Sequence, residues 1–302
     1  MKVSTFYVRR FARIWPSHMV ALLLAIPVFY TLSAEPEHSW VKPFSIPILL
    51  LSVLVVQGFS RNPEILFSGN PAAWTLSSEA LFYALHPFLG RGLRRTSQRG
   101  ALIVALAAVV VAFGYRGATH LGPEGWAAGV PVPLEQVPVF VVGMAIAWAF
   151  VQGWRPRFPV WVAWIVFAAT IVGLTLGPGA KLGILSSIAG AFSNEFATVV
   201  CVLLIVAVAS ATLRGRKSWL AHPVMVRLGT YSYAFYLVHA TVMYAVLNVI
   251  GGYRGPGGSN LIWGAGIFIV ALALAAAIHH WVEHPAERAI RGWKDRRDRV
   301  KA

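Results

Sequence analysis

The sequence predicts an all-α protein, a polytopic transmembrane helical bundle of about eight spans plus one re-entrant or interfacial segment. Three observations carry that expectation. Apolar residues fill 57% of the 302 positions, and the mean hydropathy is +0.65. Only 12% of residues are charged, where a soluble globular chain averages about 25%. The apolar residues also fall in runs that approach the ~20 residues a spanning helix needs.

The runs lie at 14–33, 44–59, 74–90, 101–118, 136–152, 158–177, 194–213, 230–250 and 260–282, which makes nine candidates. Ahead of the first, Lys2, Arg9, Arg10 and Arg13 place the N-terminus in the cytoplasm by the positive-inside rule. No A-x-A-like cleavage site follows that run, so it is expected to stay as an anchor. The loop 34–43 carries two glutamates and one lysine and suits the outside. The stretch 91–99, with four arginines, returns to the inside, as do 154–157, 214–217 and the tail after Arg288. The loops 119–135, 178–193 and 251–259 are rich in Gly and Pro and poor in charge, as expected outside.

These placements agree only if 44–59 and 74–90 together make one crossing, because nine full spans would put the basic tail outside. Eight spans with both termini cytoplasmic follow. The expected non-spanning piece is 74–90, which is short and carries Glu79 and His86. A charge at the bilayer centre costs at least ~2.5 kcal/mol, so Glu79 should face protein or water. No repeat or linker divides the chain, giving a membrane domain over 1–287 and a basic cytoplasmic tail over 288–302.

The net charge of +15 would suggest nucleic acid in a soluble protein. Here the arginines cluster between apolar runs, which indicates contact with anionic lipid headgroups and excludes a nucleic-acid partner. The single cysteine, Cys201, forms no intrachain disulfide and is expected as a small core residue. Twenty arginines against six lysines, with abundant Ala, Val and Gly, suggest a GC-rich bacterial genome.

Four stretches carry chemistry. In the first, Arg9, Arg10, Arg13 and Pro16 read either as a basic flank before a helix-starting proline or as a ligand site. Arg10 and Arg13 are three apart and share a helix face, and guanidinium forks suit phosphate oxygens. In the second, Thr75, Glu79 and Tyr83 are spaced by four and stack on one face. A carboxylate at membrane depth is a functional candidate by default, and an ion pair to Arg10 or Arg13 is the structural alternative. In the third, 228–239, His239 is either a hydrogen-bonded core residue or a base. In the fourth, His279, His280, Glu283 and His284 lack the H-E-x-x-H arrangement, so no metal is expected.

In this order the stretches resemble acyltransferase family 3, the integral membrane group that includes O-antigen and exopolysaccharide acetylases. The matching pieces are RRxxRIxP at Arg9, Arg10, Arg13 and Pro16, and W-[ST]-L-x-x-E-x-x-F-Y at Trp74, Thr75, Glu79 and Tyr83. Residues 137–147 are similar to the family's F-x-x-G-x-x-x-A helix, 228–239 to its LGxxSYxxYLxH helix, and 281–285 to its final Y-x-x-E-x-P. The resemblance implies transfer of an acyl group, in the first instance acetyl from acetyl-CoA, to a hydroxyl of a carbohydrate or natural product. It implies Arg10 and Arg13 as the donor-binding residues, Glu79 and Tyr83 as groups that orient or polarise the site, and residence in the cytoplasmic membrane.

Members of that family generally carry two further spans ahead of RRxxRIxP, the first with an Arg-x10-His motif whose histidine acts in acyl transfer. None of the nine histidines here has an arginine eleven positions before it. The expectation is therefore that Met1 lies inside a longer reading frame, with a gene fragment or a divergent form that uses another histidine as alternatives. Acyl transfer needs a base or a nucleophile, and histidine titrates near neutrality. His18 and His239 are the substitutes, and the catalytic set read from the sequence is Glu79, Tyr83 and His239.

Rival functions are weaker. A transporter lacks support from any inverted repeat. With no aspartate before Asp295 there is neither a D-x-D glycosyltransferase site nor an H-x4-D acyltransferase site. A non-catalytic membrane scaffold or fragment is the remaining alternative. The topology is open to direct test in a Cys201→Ser background. A cysteine introduced within 91–99 should resist a membrane-impermeant thiol reagent in intact cells, whereas one within 38–41 should be labelled; the reverse pattern would invert the orientation.

Overall fold

The computed structural model describes residues 3–33, 38–123, 125, 127, 129–176, 184–216, 218–250 and 257–300. The expected outer loops fall partly on 34–37, 124, 126, 128, 177–183 and 251–256, and the inner one on Lys217; those positions lie outside the described residues. The fold is all-α, as expected, and strand among the described residues is limited to two two-residue pieces, Tyr30–Thr31 and Lys42–Pro43, paired in parallel.

Among the described residues, six helical segments are long and apolar enough to cross a membrane. They correspond to α1 (Val3–Phe29), α5 (Gln98–Leu121), the pair α6 (Val132–Glu135) and α7 (Val137–Val151), α10 (Ser193–Leu213), α11 (Pro223–Ile250) and α12 (Ser259–Ile278). α8 (Val160–Leu176) is apolar but only 17 residues long. α4 (Trp74–Leu93) has the length, 20 residues or about 30 Å at 1.5 Å per residue, but carries Glu79, His86 and Arg91. The shorter pieces are α2 (Ile46–Val53), α3 (Pro63–Leu66) and α9 (Ile184–Ala191).

Two sequence expectations are corrected here. Residues 44–59 were expected to span and are interrupted instead, while 74–90, expected not to span, lies in the continuous helix α4, which is not among the six spanning candidates. The run 44–59 holds a helix of only eight residues, about 12 Å long. It ends where Val55 takes a left-handed backbone (φ 60°), unfavourable for a β-branched residue. Hydropathy is continuous across that turn, so composition alone does not register it. The second correction concerns Pro16. It sits inside α1, which begins before Arg9 and so includes the whole basic segment, and Pro16 does not start the helix.

The described residues form two compact units. One comprises Met1–Ala84, Pro131–Pro133 and Pro223–Ala302; the other comprises Leu85–Val130 and Leu134–His222. In the first, Ala21, Ala25, Ala234 and Ala275 are fully buried where α1, α11 and α12 pack. Small side chains let helix backbones approach closely, which is how helices associate without a hydrophobic drive from water. Polar side chains tie the irregular segment 54–73 to the helices. His18 Nε2 donates to the Ser52 carbonyl at 2.9 Å, and buried Asn70 donates to the Leu237 carbonyl at 2.7 Å. α12 continues through a π-helical turn, His279–Glu283, into α13 (His284–Val300). The basic residues from Arg288 to Arg299 are thus helical, and α13 docks on α1 through Thr5 Oγ1 to Asp298 (3.3 Å) and Arg9 to Asp295 (3.9 Å).

In the second unit α5 and α7 also pack through alanines, with Ala101, Ala145 and Ala149 fully buried. Arg116 pairs with Glu195 at 3.0 Å, and Tyr115 donates to Glu135 at 2.5 Å. Pairing of this kind is what allows charge among apolar helices. Cys201 is exposed on α10 rather than in the core, because the helix turns alanines and Val206 inward instead.

Gly58 tests the packing of the irregular segment. A Cβ there would lie 2.6 Å from both Ser77 Cβ and the Trp74 carbonyl oxygen, whereas one at Gly92 would meet nothing within 4 Å. Gly58→Ala should therefore destabilise the purified protein by about 1–3 kcal/mol, seen as a lower thermal midpoint, with Gly92→Ala as the unaffected control.

Candidate functional site

The site is built where the N-terminal half of α1 meets α4. Both helices present residues at i, i+3, i+4 and i+7, the spacing of one face. From α1 come Tyr7, Arg10, Phe11, Ile14 and Trp15; from α4 come Leu76, Ala80, Tyr83 and Ala84. With Leu54 and Val55 from the turn after α2, these residues line an open cavity of about 350 Å³.

Arg10 is the charged side chain that lines it. Its guanidinium lies 5.1 Å from the centre of the Tyr83 ring and 5.3 Å from that of the Phe6 ring, two cation–π contacts to rings set edge to face at 77°. The Tyr83 hydroxyl donates to Glu79 Oε1 at 2.5 Å. Guanidinium, phenol and carboxylate thus form one connected group, with the Tyr7 hydroxyl donating to the Ala84 carbonyl beside it at 3.1 Å. The i, i+4 spacing of Glu79 and Tyr83 is what sets the phenol–carboxylate bond. The ion-pair alternative does not occur among the described residues: neither Arg10 nor Arg13 reaches Glu79 within 4 Å.

The remaining sequence candidates are placed differently. Arg13 shares the α1 face but is exposed, and it contributes to the electrostatic field at Tyr83 without lining the cavity. His239 is half-buried on α11, stacked on Phe235 with ring planes 12° apart, and does not line the cavity. Its Nδ1 lies 2.7 Å from the Tyr236 carbonyl. A carbonyl only accepts, so Nδ1 carries the proton and Nε2 carries the lone pair. His18 has the opposite arrangement, donating from Nε2 and leaving Nδ1 buried without a protein partner. Thr75 turns to α11, accepting or donating at 2.9 Å with the Tyr236 hydroxyl, and does not join Glu79.

Two residues outside the sequence-derived set belong to this neighbourhood. Tyr233 donates to the Ile14 carbonyl at 3.0 Å, and its hydroxyl sits in the combined fields of Glu79, Glu283, Tyr83 and Arg13. Glu283 is 5% exposed, turned inward by the π-helical turn while neighbouring Trp281 stays 80% exposed. His279 Nδ1 lies 3.3 Å from its Oε2. The available signal was their membership of the third and fourth motifs. The other histidines there are directed elsewhere: His280 to Tyr231 at 3.1 Å and His284 to Arg288 at 2.8 Å.

Comparison with known proteins bears on this geometry. Residues 1–280 match a family described as an acyltransferase domain, that of acyltransferase family 3. The chain is also 30% identical over 310 aligned positions to Acyltransferase MdmB of Streptomyces mycarofaciens, an alignment that covers 95% of this chain and 75% of that protein. No solved structure matches the chain.

The connected group predicts graded losses. Tyr83→Phe keeps the ring beneath Arg10 and removes a hydrogen bond to a carboxylate, worth about 1.5–3 kcal/mol. Tyr83→Leu also removes the cation–π contact, about 0.5–1 kcal/mol more. Thermal denaturation should rank wild type above Tyr83→Phe above Tyr83→Leu; equal midpoints for the two variants would show that the ring face contributes nothing.

Proposed function

The chain belongs to acyltransferase family 3, and from that premise we propose that it transfers an acyl group from acyl-CoA to a hydroxyl of a carbohydrate or natural product. It is an acyltransferase that moves groups other than aminoacyl groups, built as a multi-pass membrane protein. The proposal adds the donor, with acetyl-CoA the simplest case, and the acceptor class. The observation that carries it is the Arg10–Tyr83–Glu79 group beside a cavity lined by α1 and α4.

The chemistry assigns roles. The acceptor oxygen attacks the thioester carbonyl while a base takes the hydroxyl proton; the C–S bond then breaks, and the proton passes to the departing thiolate. Negative charge develops on the carbonyl oxygen, and a guanidinium held by two aromatic faces is positioned to meet it. Arg10 takes that role, and exposed Arg13 meets the donor's phosphates, which suit its fork of donors. Glu79 holds the Tyr83 hydroxyl in one orientation. His239, with its Nε2 lone pair available, is the proposed base on the acceptor side.

The same reading places the protein in the cytoplasmic membrane of a bacterium with both termini in the cytoplasm. There the basic face of α13, with Arg288, Arg296 and Arg299, meets anionic headgroups.

Membranes containing the protein, given labelled acetyl-CoA and a panel of hydroxylated acceptors, test the reading. Labelled ester should form. Arg10→Ala should lower kcat/KM by at least about 100-fold, the loss expected for a donor to a developing oxyanion. Glu79→Ala and His239→Ala should lower kcat by about 10²–10⁴. If Arg13→Ala and Glu79→Ala left the rate untouched, the site assignment would be wrong.

A further inference from the structure

We propose that the cavity between α1 and α4 is the slot for the donor's acyl chain, and that Ala80 sets the chain length it accepts. This deepens the donor reading above and rests on it. The charged and hydroxyl groups in the cavity wall lie at one end. The Arg10 guanidinium and the Tyr7 and Tyr83 hydroxyls gather there, and both hydroxyls are already bonded, to Ala84 and Glu79. The far end is lined by Ile14, Trp15, Leu54, Val55 and Leu76, where the Trp15 indole N–H is the one polar group. A ligand that fills this space carries a polar head for Arg10 and an apolar tail.

An acyl thioester has that form. Its carbonyl meets Arg10, and its chain runs toward Leu76 and Val55. From Tyr83 back to Leu76 is seven residues of helix, about 10 Å along the axis, deeper than a two-carbon acetyl group requires. The geometry therefore points to acyl groups longer than acetyl as accepted donors. Ala80 lies between Tyr83 and Leu76 on the same face, midway along the slot, and its small side chain leaves the passage open. The far wall is held in place by the left-handed Val55, 8% exposed and packed in the core with Leu76 and Leu237.

Direct binding tests this without knowledge of the acceptor. The full chain in nanodiscs is titrated with free CoA, acetyl-CoA, butyryl-CoA and hexanoyl-CoA. Affinity should rise along the series by about fourfold for each methylene that enters the slot, the equivalent of ~0.8 kcal/mol. Ala80→Leu should collapse the ratio of hexanoyl-CoA to free CoA affinity, while Ala80→Gly should keep it. A flat series in the wild type, with CoA still bound, would overturn the slot and leave the donor reading intact. So would a series unchanged by Ala80→Leu in a protein of normal thermal midpoint. A flat series with a co-purifying phospholipid released by Ala80→Leu would make the slot a lipid-tail site and overturn the assignment. If neither CoA nor any ester bound, the donor reading itself would fail and the slot with it.

Discussion

Inside a bilayer no water is available to satisfy a polar group, and this one constraint orders the structure. Each buried polar side chain that finds a protein partner becomes a cross-link. His18 ties α1 to the end of α2, Asn70 ties the loop before α4 to α11, and Tyr233 ties α11 back to α1. Alanines do the complementary work, bringing the helices close enough for those bonds to form. Within the irregular segment 54–73, Gln57, Ser68 and Asn70 are buried in protein, whereas Arg61, Asn62 and Glu64 are exposed.

The same constraint shapes the site. A carboxylate among apolar helices must be held by donors, and the nearest on its own face is the Tyr83 hydroxyl one turn away. That bond orients the phenol, and the phenol ring in turn gives Arg10 a surface to lie on. A cation kept by ring faces retains its N–H groups for a ligand, whereas a direct ion pair to Glu79 would have occupied them. The arrangement thus keeps a positive charge available beside an apolar cavity.

How far the site could be read from sequence depends on the range of each contact. The pairing of Glu79 with Tyr83, and the shared face of Arg10 and Arg13, follow from helical periodicity and were legible. That Arg10 lines the cavity and Arg13 does not depends on where α4 lies, and no local pattern contains that. His239 was legible as a motif residue, yet its separation from the cavity was not. Glu283 turns inward only because a π-helical turn interrupts the run between α12 and α13, a backbone event with no hydropathy signature.

By itself the sequence determined the solvent and the architecture. Its charge fraction and apolar runs required a membrane-embedded helical bundle, and five ordered motifs named the family that the comparisons identify. These are properties of composition and local period, which the chain carries before it folds. Only the tertiary structure decided which apolar run is broken, since a single left-handed residue, Val55, cuts 44–59 short while 74–93 stays whole. It alone brought a guanidinium, a phenol and a carboxylate from positions 10, 83 and 79 into one group. That assembly is set by packing between segments distant in the chain, and packing is where sequence periodicity stops.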